Sequence, residues 1–274
     1  MAATGGSGRS TVAGLLADGL SASGRTAVLD LAPRLSSPWP AQAAEQHAGG
    51  LAALPPDQPL SRANVHRACT VNAASNGAGW HLLTDGREWH TLPLPLPQDP
   101  AAWYQLAAIG GWQTVVADTV HPLAHDMLAA RCLGELGQTR GWYALPYALP
   151  VLCATSTANG IQALQQAVMA LHAEGLPLQR TVVVLVATGD GRPPAAVRAA
   201  ATMLTARTAA VVHLPHDPHV RAHGLRDLSR LRSRTRQAAA QLTRAVLDAA
   251  HSTWGQPLPV APQPAPIAPA VPAL

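Results

Sequence analysis

Thr4-Gly5-Gly6-Ser7-Gly8-Arg9-Ser10-Thr11 is the stretch on which the fold turns. Gly5, Gly6 and Gly8, followed by a basic residue and two hydroxyls, meet what a phosphate loop requires. Glycines let the backbone come close, and successive N–H groups at the positive end of a helix converge on anionic oxygens. A hydroxyl just past the loop supplies a ligand for Mg2+. Behind it, Val12, Leu15, Leu16 and Leu20 recur at helical spacing and predict a helix over residues 10–23, closed by Gly24. The dinucleotide pattern G-x-G-x-x-G does not fit, because Thr11 stands at its third glycine.

After this helix, Thr26 to Leu31 reads as a short buried strand and Trp80 to Leu83 as another. Residues 33–78, rich in Pro, Ala, Gly and Ser, read as helix or loop. The Leu92–Pro97 run cannot be a central strand, since each proline removes a ladder donor. Beyond residue 100 the alternation is regular. Helices are predicted at 100–109, 123–137, 158–174, 194–206 and 225–250. Strands are predicted at Thr114 to Asp118, Pro150 to Ala154, Thr181 to Ala187 and Ala209 to Leu214. This is an α/β pattern, with a mostly parallel sheet and helices on both faces. Residues 255–274 alternate Pro with small apolar residues and predict an extended, disordered tail after one domain spanning 1–254.

Composition narrows the class. The chain has 274 residues with 48% hydrophobic content, enough for one well-filled core. Phe is absent, so Ala, Leu and Val must fill it. All 19 basic residues are Arg, and the net charge of +4 permits an acidic partner without demanding one. Cys69, Cys132 and Cys153 are widely spaced and odd in number, which excludes a disulfide framework and fits a reducing cytoplasm. No apolar run is long enough for a membrane-spanning helix. The N-terminus has no basic segment followed by an apolar run, so a signal peptide is not expected.

Two predicted strands end in carboxylates, Asp30 and Asp118. A strand-end Asp holds Mg2+ in phosphate-loop enzymes, usually through water. With loop, strand and carboxylates in order, the chain resembles the ParA/MinD family of P-loop ATPases and their deviant Walker A motif. The family's Lys-Gly-Gly-x-Gly-Lys-Ser/Thr-Thr appears as Thr4 to Thr11. Its Asp-x-Asp-Pro appears as Asp30-Leu31-Ala32-Pro33, and its Walker B strand as Val115 to Thr119. A later segment that lies beside the base in relatives matches Pro215-His216-Asp217 with Arg221, Ala222 and Gly224.

The resemblance implies a P-loop NTPase three-layer sandwich of the SIMIBI type, with ATP and Mg2+ as cofactors. It places phosphates on Gly5, Gly6, Ser7, Gly8, Arg9, Ser10 and Thr11, the base near Pro215 and Asp217, and Mg2+ on Ser10 and Asp118. Asp30 is the remaining catalytic candidate. It implies a role in partitioning or positioning DNA or a cellular complex, and a homodimer in the ATP state. Three departures bear on turnover. Arg9 replaces the loop lysine, Thr4 replaces the lysine that reaches the partner's nucleotide, and Ala32 replaces the second Asp. Phosphoryl transfer depends on positioning and charge stabilisation, so these losses predict nucleotide binding with weak or absent hydrolysis. The alternative is a degenerate, non-catalytic scaffold that recruits secretion, pilus or division machinery.

Other features carry weaker expectations. Arg226, Arg230 and Arg234 at four-residue spacing on the predicted final helix would form a basic face able to hold DNA phosphates, or a plain solvated face. His213, His216, His219 and His223 around Asp217 form only a poor zinc set, with no cysteine. Trp80, Trp89, Trp103 and Trp112 are expected to anchor packing. The proline-rich tail is an inert extension or a docking segment for a protein partner. Finally, the phosphate loop opens the chain where the family places a central first strand before it. The sheet is therefore expected to lack that strand, leaving the loop without its rigid base.

Overall fold

The computed structural model describes residues 1–43, 49–55, 58–75 and 77–265; residues 266–274 of the tail lie outside this set. Its elements follow the expected alternation. Helix α1 (Arg9–Leu20) leads into β1 (Thr26–Asp30), α2 (Trp39–Ala43), α3 (Arg62–Ala68), β2 (Thr70–Ala73) and β3 (Gly79–Leu83). Then come α4 (Pro100–Gly110), β4 (Thr114–Asp118), α5 (Leu123–Leu133), α6 (Gln138–Ala144) and β5 (Val151–Thr155). The chain continues through α7 (Ala158–Ala173), β6 (Val182–Val186), α8 (Ala195–Thr205), β7 (Ala210–Leu214), α9 (Pro218–His223) and α10 (Ser233–Trp254).

The strands are parallel except β2, which runs antiparallel beside β3 at an edge. They form two sheets, ordered β2-β3-β1-β4 and β5-β6-β7, rather than one. The break falls between β4 and β5. Three residues stand in the gap. The Met1 ammonium donates to Val151 O at 2.8 Å. Cys153 N donates to Met1 O at 3.0 Å, Ala3 N to Cys153 O at 2.9 Å, and Leu123 N to Ala2 O at 3.0 Å. Met1–Ala3 is thus a short parallel rung between β5 and the residues after β4, and it is the base from which the glycine turn rises. Beside it the gap holds a cavity of about 480 Å3 lined by Leu16, Leu29, Trp103, Val116 and Val151.

Alternating strand residues send side chains to two helical layers, as a doubly covered parallel sheet requires. Leu152, Ala154, Val183 and Leu185 pack against Leu123, Leu164 and Leu171 of α5 and α7. Cys153, Val182, Val184 and Val212 pack on the other face against Leu15, Leu16 and Leu242 of α1 and α10. In the first sheet Ala27, Leu29 and Leu83 face Trp103 and Leu106 of α4. Val28 and Leu82 face Ala13, Ala17, Trp39 and Trp80. Both faces of the split sheet are therefore covered, and the three-layer expectation holds.

Several boundaries differ from expectation. Helix α1 ends at Leu20, and Ser21 rather than Gly24 closes it. The helix predicted over 123–137 stops at Gly134, whose φ of 70° ends α5 before a separate α6 begins. The helix predicted over 225–250 begins only at Ser233 and runs to Trp254. Residues 228–230 form a 3-10 turn after Asp227, whose φ is 55°. The described part of the tail, residues 255–265, carries no helix or strand, and it is not free of the body. Tyr104 Oη donates to Pro262 O at 2.6 Å, and Gln105 donates to Ala265 O. Of the four tryptophans expected to anchor packing, Trp80, Trp103 and Trp112 are buried, while Trp89 is 79% exposed.

Candidate phosphate site

All parallel strands end on one side, and ligands in such folds bind outside the carboxyl ends of the strands. The glycine turn lies there. Gly6 and Gly8 sit at φ 70° and 76°, the left-handed region open to glycine. A side chain at Gly8 would start 2.9 Å from Val186 Cγ1, so the turn is seated against the end of β6. Gly8 is the N-cap of α1, and no side chain caps the helix. The first N–H groups of a helix have no partner within it, so Arg9, Ser10 and Thr11 present theirs at the positive end of a twelve-residue helix. Ser7 is buried, and its Oγ has no hydrogen-bond partner among the described residues. Gly5 and Gly6 are exposed.

Behind the turn, strand register sets Asp118 of β4 directly beside Asp30 of β1. Asp118 is closed on both oxygens. Arg9 Nε donates to Oδ1 at 2.6 Å, and Trp39 Nε1 donates to Oδ2 at 2.8 Å. Arg9 Nη1 also donates to Val120 O at 3.2 Å. The Asp118 carboxylate has no solvent exposure, while the Arg9 side chain is 18% exposed. Asp30 is equally enclosed. Its Oδ1 accepts from Ala32 N at 3.1 Å, and its Oδ2 accepts from Ser37 Oγ at 2.7 Å and Thr84 Oγ1 at 2.6 Å. Burial pushes the Asp30 carboxyl up to about 6, against the opposing pull of those three donors.

The residues fit a phosphate group better than they fit a metal. The uncapped helix end, the two left-handed glycines and the unpaired Ser7 hydroxyl form an anion cradle. Both Asp118 oxygens already accept from a protein donor, one of them a cation, and no hydrogen bond joins Ser10 to Asp118 among the described residues. No group of three His, Cys, Asp or Glu is placed to hold a metal among the described residues.

Pro215 and Asp217 follow β7, whose Leu214 pairs with Val186, the residue beneath Gly8. They therefore lie at the same end of the sheet as the turn. Asp217 is buried and caps α9 by accepting from His219 N at 2.9 Å, and it accepts from Arg232 N at 2.9 Å. Burial pushes its carboxyl up, but hydrogen bonds including these outweigh it and hold the group below the ordinary carboxylate range.

The basic face expected on the last helix does not form. Arg226 and Arg230 precede α10, so the three arginines do not share one helix. Arg226 bonds Ala41 O, Arg230 pairs with Asp227 at 2.8 Å, and Arg234 pairs with Asp190.

No family model and no curated protein sequence matches the chain. Solved structures do. The cell division ATPase MinD of Pyrococcus furiosus aligns over 89% of this chain and 94% of its own, with a TM-score of 0.53 at 16% identity. The chain has the MinD-type P-loop ATPase fold. MinD of Aquifex aeolicus aligns over 94% of this chain and 96% of its own, at 0.51 and 12% identity. Apo McdA of Cyanothece covers 89% of this chain and 96% of its own, at 0.50 and 14% identity.

Sequence reasoning found the turn and both carboxylates, but it missed what holds them. Trp39, Ser37 and Thr84 carry no spacing signal, since each reaches its Asp from a loop or a short element.

Proposed function

We propose that this protein binds a nucleotide through its phosphates at Gly5–Thr11 and acts in positioning or partitioning a cellular cargo, with weak or absent hydrolysis. One observation carries the reading: a glycine turn with two left-handed residues delivers an uncapped helix N-terminus at the carboxyl end of a parallel sheet. The MinD-type fold supports the positioning role, and dimerisation in the ATP state and a cytoplasmic location belong to the same reading. In it, Pro215 and Asp217 border the base, and Asp30 is the candidate for proton handling because it changes charge near neutral pH. Its full set of donors favours a fixed carboxyl over a mobile base, in line with slow turnover.

Calorimetric titration with ATP, ADP, AMP and adenosine tests the proposal. Affinity should fall as phosphates are removed, and Gly8→Val should abolish binding while thermal melting monitors its fold. Adenosine binding as tightly as ATP, or no binding by any of the four, would overturn it. Sustained ATP turnover would refute the slow-hydrolysis part. The second reading, a scaffold that recruits proteins without nucleotide, is favoured by one observation: Asp118 is fully engaged within the protein. Complete absence of nucleotide binding would select it.

A further inference from the structure

In phosphate-loop enzymes a strand-end carboxylate and a loop hydroxyl hold a divalent cation, which neutralises the phosphates beside the carboxylate. Here the corresponding carboxylate already has a cation. Arg9 leaves the glycine turn at the first position of α1, and its guanidinium pairs with Asp118 at 2.6 Å. Trp39 Nε1 donates to the second oxygen at 2.8 Å. Asp118 has no exposed side-chain surface, so a metal could reach it only by breaking the pair.

We infer that Arg9 takes the place of the divalent cation, so that this site holds a nucleotide's phosphates without Mg2+. The inference rests on the nucleotide reading above. Two physical arguments carry it. First, a metal bridging Asp118 to phosphate must displace Arg9 from its 2.6 Å contact and then lie beside the displaced guanidinium, a like charge. Second, the repulsion that a metal normally relieves is absent. The Arg9–Asp118 pair is neutral as a unit, so phosphates arriving at the helix end meet the N–H groups of Arg9, Ser10 and Thr11 without an opposing carboxylate charge. Arg delivers this where Lys would not. Its planar fork donates through Nε to the carboxylate and through Nη1 to Val120 O at once.

The test uses the full chain and two probes. In the first, ATP is titrated calorimetrically in excess MgCl2 and in excess EDTA. The affinities should agree within about threefold, whereas an Mg2+ gain of about tenfold or more would overturn the inference. In the second, Mn2+ alone is titrated and followed by its paramagnetic effect on water relaxation. The wild type should show no Mn2+ site dependent on Asp118. Arg9→Ala should gain one, which the double variant Arg9→Ala with Asp118→Asn should lose again. Arg9→Lys, which keeps the charge and fills similar space, guards against a fold defect and should stay intermediate. A wild-type Mn2+ site that disappears in Asp118→Asn would sink the proposal. If ATP binds in neither buffer, the nucleotide reading fails by itself, and the Mn2+ titration still decides whether Arg9 occupies the cation's place.

Discussion

Asp30→Asn isolates the energetic consequence of burying a carboxylate beneath the glycine turn. The carboxyl is pushed from an ordinary 3.8 to about 6, with burial the leading cause and Thr84, Ser37 and Ala32 opposing it. Each unit corresponds to about 1.4 kcal/mol, so the whole displacement is worth about 3 kcal/mol. The sign follows from proton binding. Between the two values the folded chain holds more protons than the unfolded chain, so stability falls as pH rises. The contribution is intact below about pH 4 and is lost as pH climbs through about 6. Asparagine carries no charge at any of these values, and the hydroxyls of Ser37 and Thr84 can turn to accept from its amide. Urea unfolding of wild type and Asp30→Asn at intervals from about pH 4 to about pH 8 gives the difference directly, and titrating groups away from Asp30 cancel. The variant should gain on the wild type by about 2.5 kcal/mol across that range, most steeply near the middle. A difference that stays flat, or that moves in favour of the wild type with rising pH, would refute the reasoning.

Three further outcomes follow from packing. Leu242 of α10 is fully buried among α1 and the second sheet, so Leu242→Ala should lower urea stability by about 2–5 kcal/mol. Gly160 in the first turn of α7 leaves no room for a methyl, because a Cβ would lie 2.2 Å from Thr155 O. Gly160→Ala should therefore cost about 1–3 kcal/mol by the same measurement, despite alanine's better helix propensity. Thr157 caps α7 by accepting from Gly160 N at 3.1 Å, and Thr157→Ala should lower thermal stability by about 1 kcal/mol.

The sequence was most legible where burial imposes a strict period. From residue 100 onward, buried strands such as Val182–Val186 and amphipathic helices such as Ala158–Ala173 stood out. The one large misreading there is instructive. Leu225, Leu228 and Leu231 are three apart, which reads as a helical stripe. Leu228 and Leu231 are indeed buried, but around a 3-10 turn, whose period is also three. Strand β2 was not legible, since Thr70–Ala73 is a short edge strand with a mostly exposed pattern. At the site, Asp118 announced itself by ending a strand. Its closure by Arg9 spans 109 residues and by Trp39 spans 79. No local pattern encodes such contacts, because they follow from strand order and the path of the loops.

The division of the sheet between β4 and β5 has a consequence for cooperativity. In an unbroken sheet, continuous hydrogen bonding ties the two flanks into one unfolding unit. Here that tie is reduced to Met1–Ala3, and much of the remaining load falls on α1. Its Leu15, Leu16 and Leu20 belong to the core under the second sheet, while Ala13 and Ala17 belong to the core under the first. One helix is thus a shared wall. Weakening either of its faces should loosen the flanks from each other before it melts either one, which native-state hydrogen exchange would register as two protection classes meeting at the seam. The glycine turn stands at the end of that wall. A ligand seated there would act on the joint between two half-molecules, and its occupancy would be read as their degree of coupling.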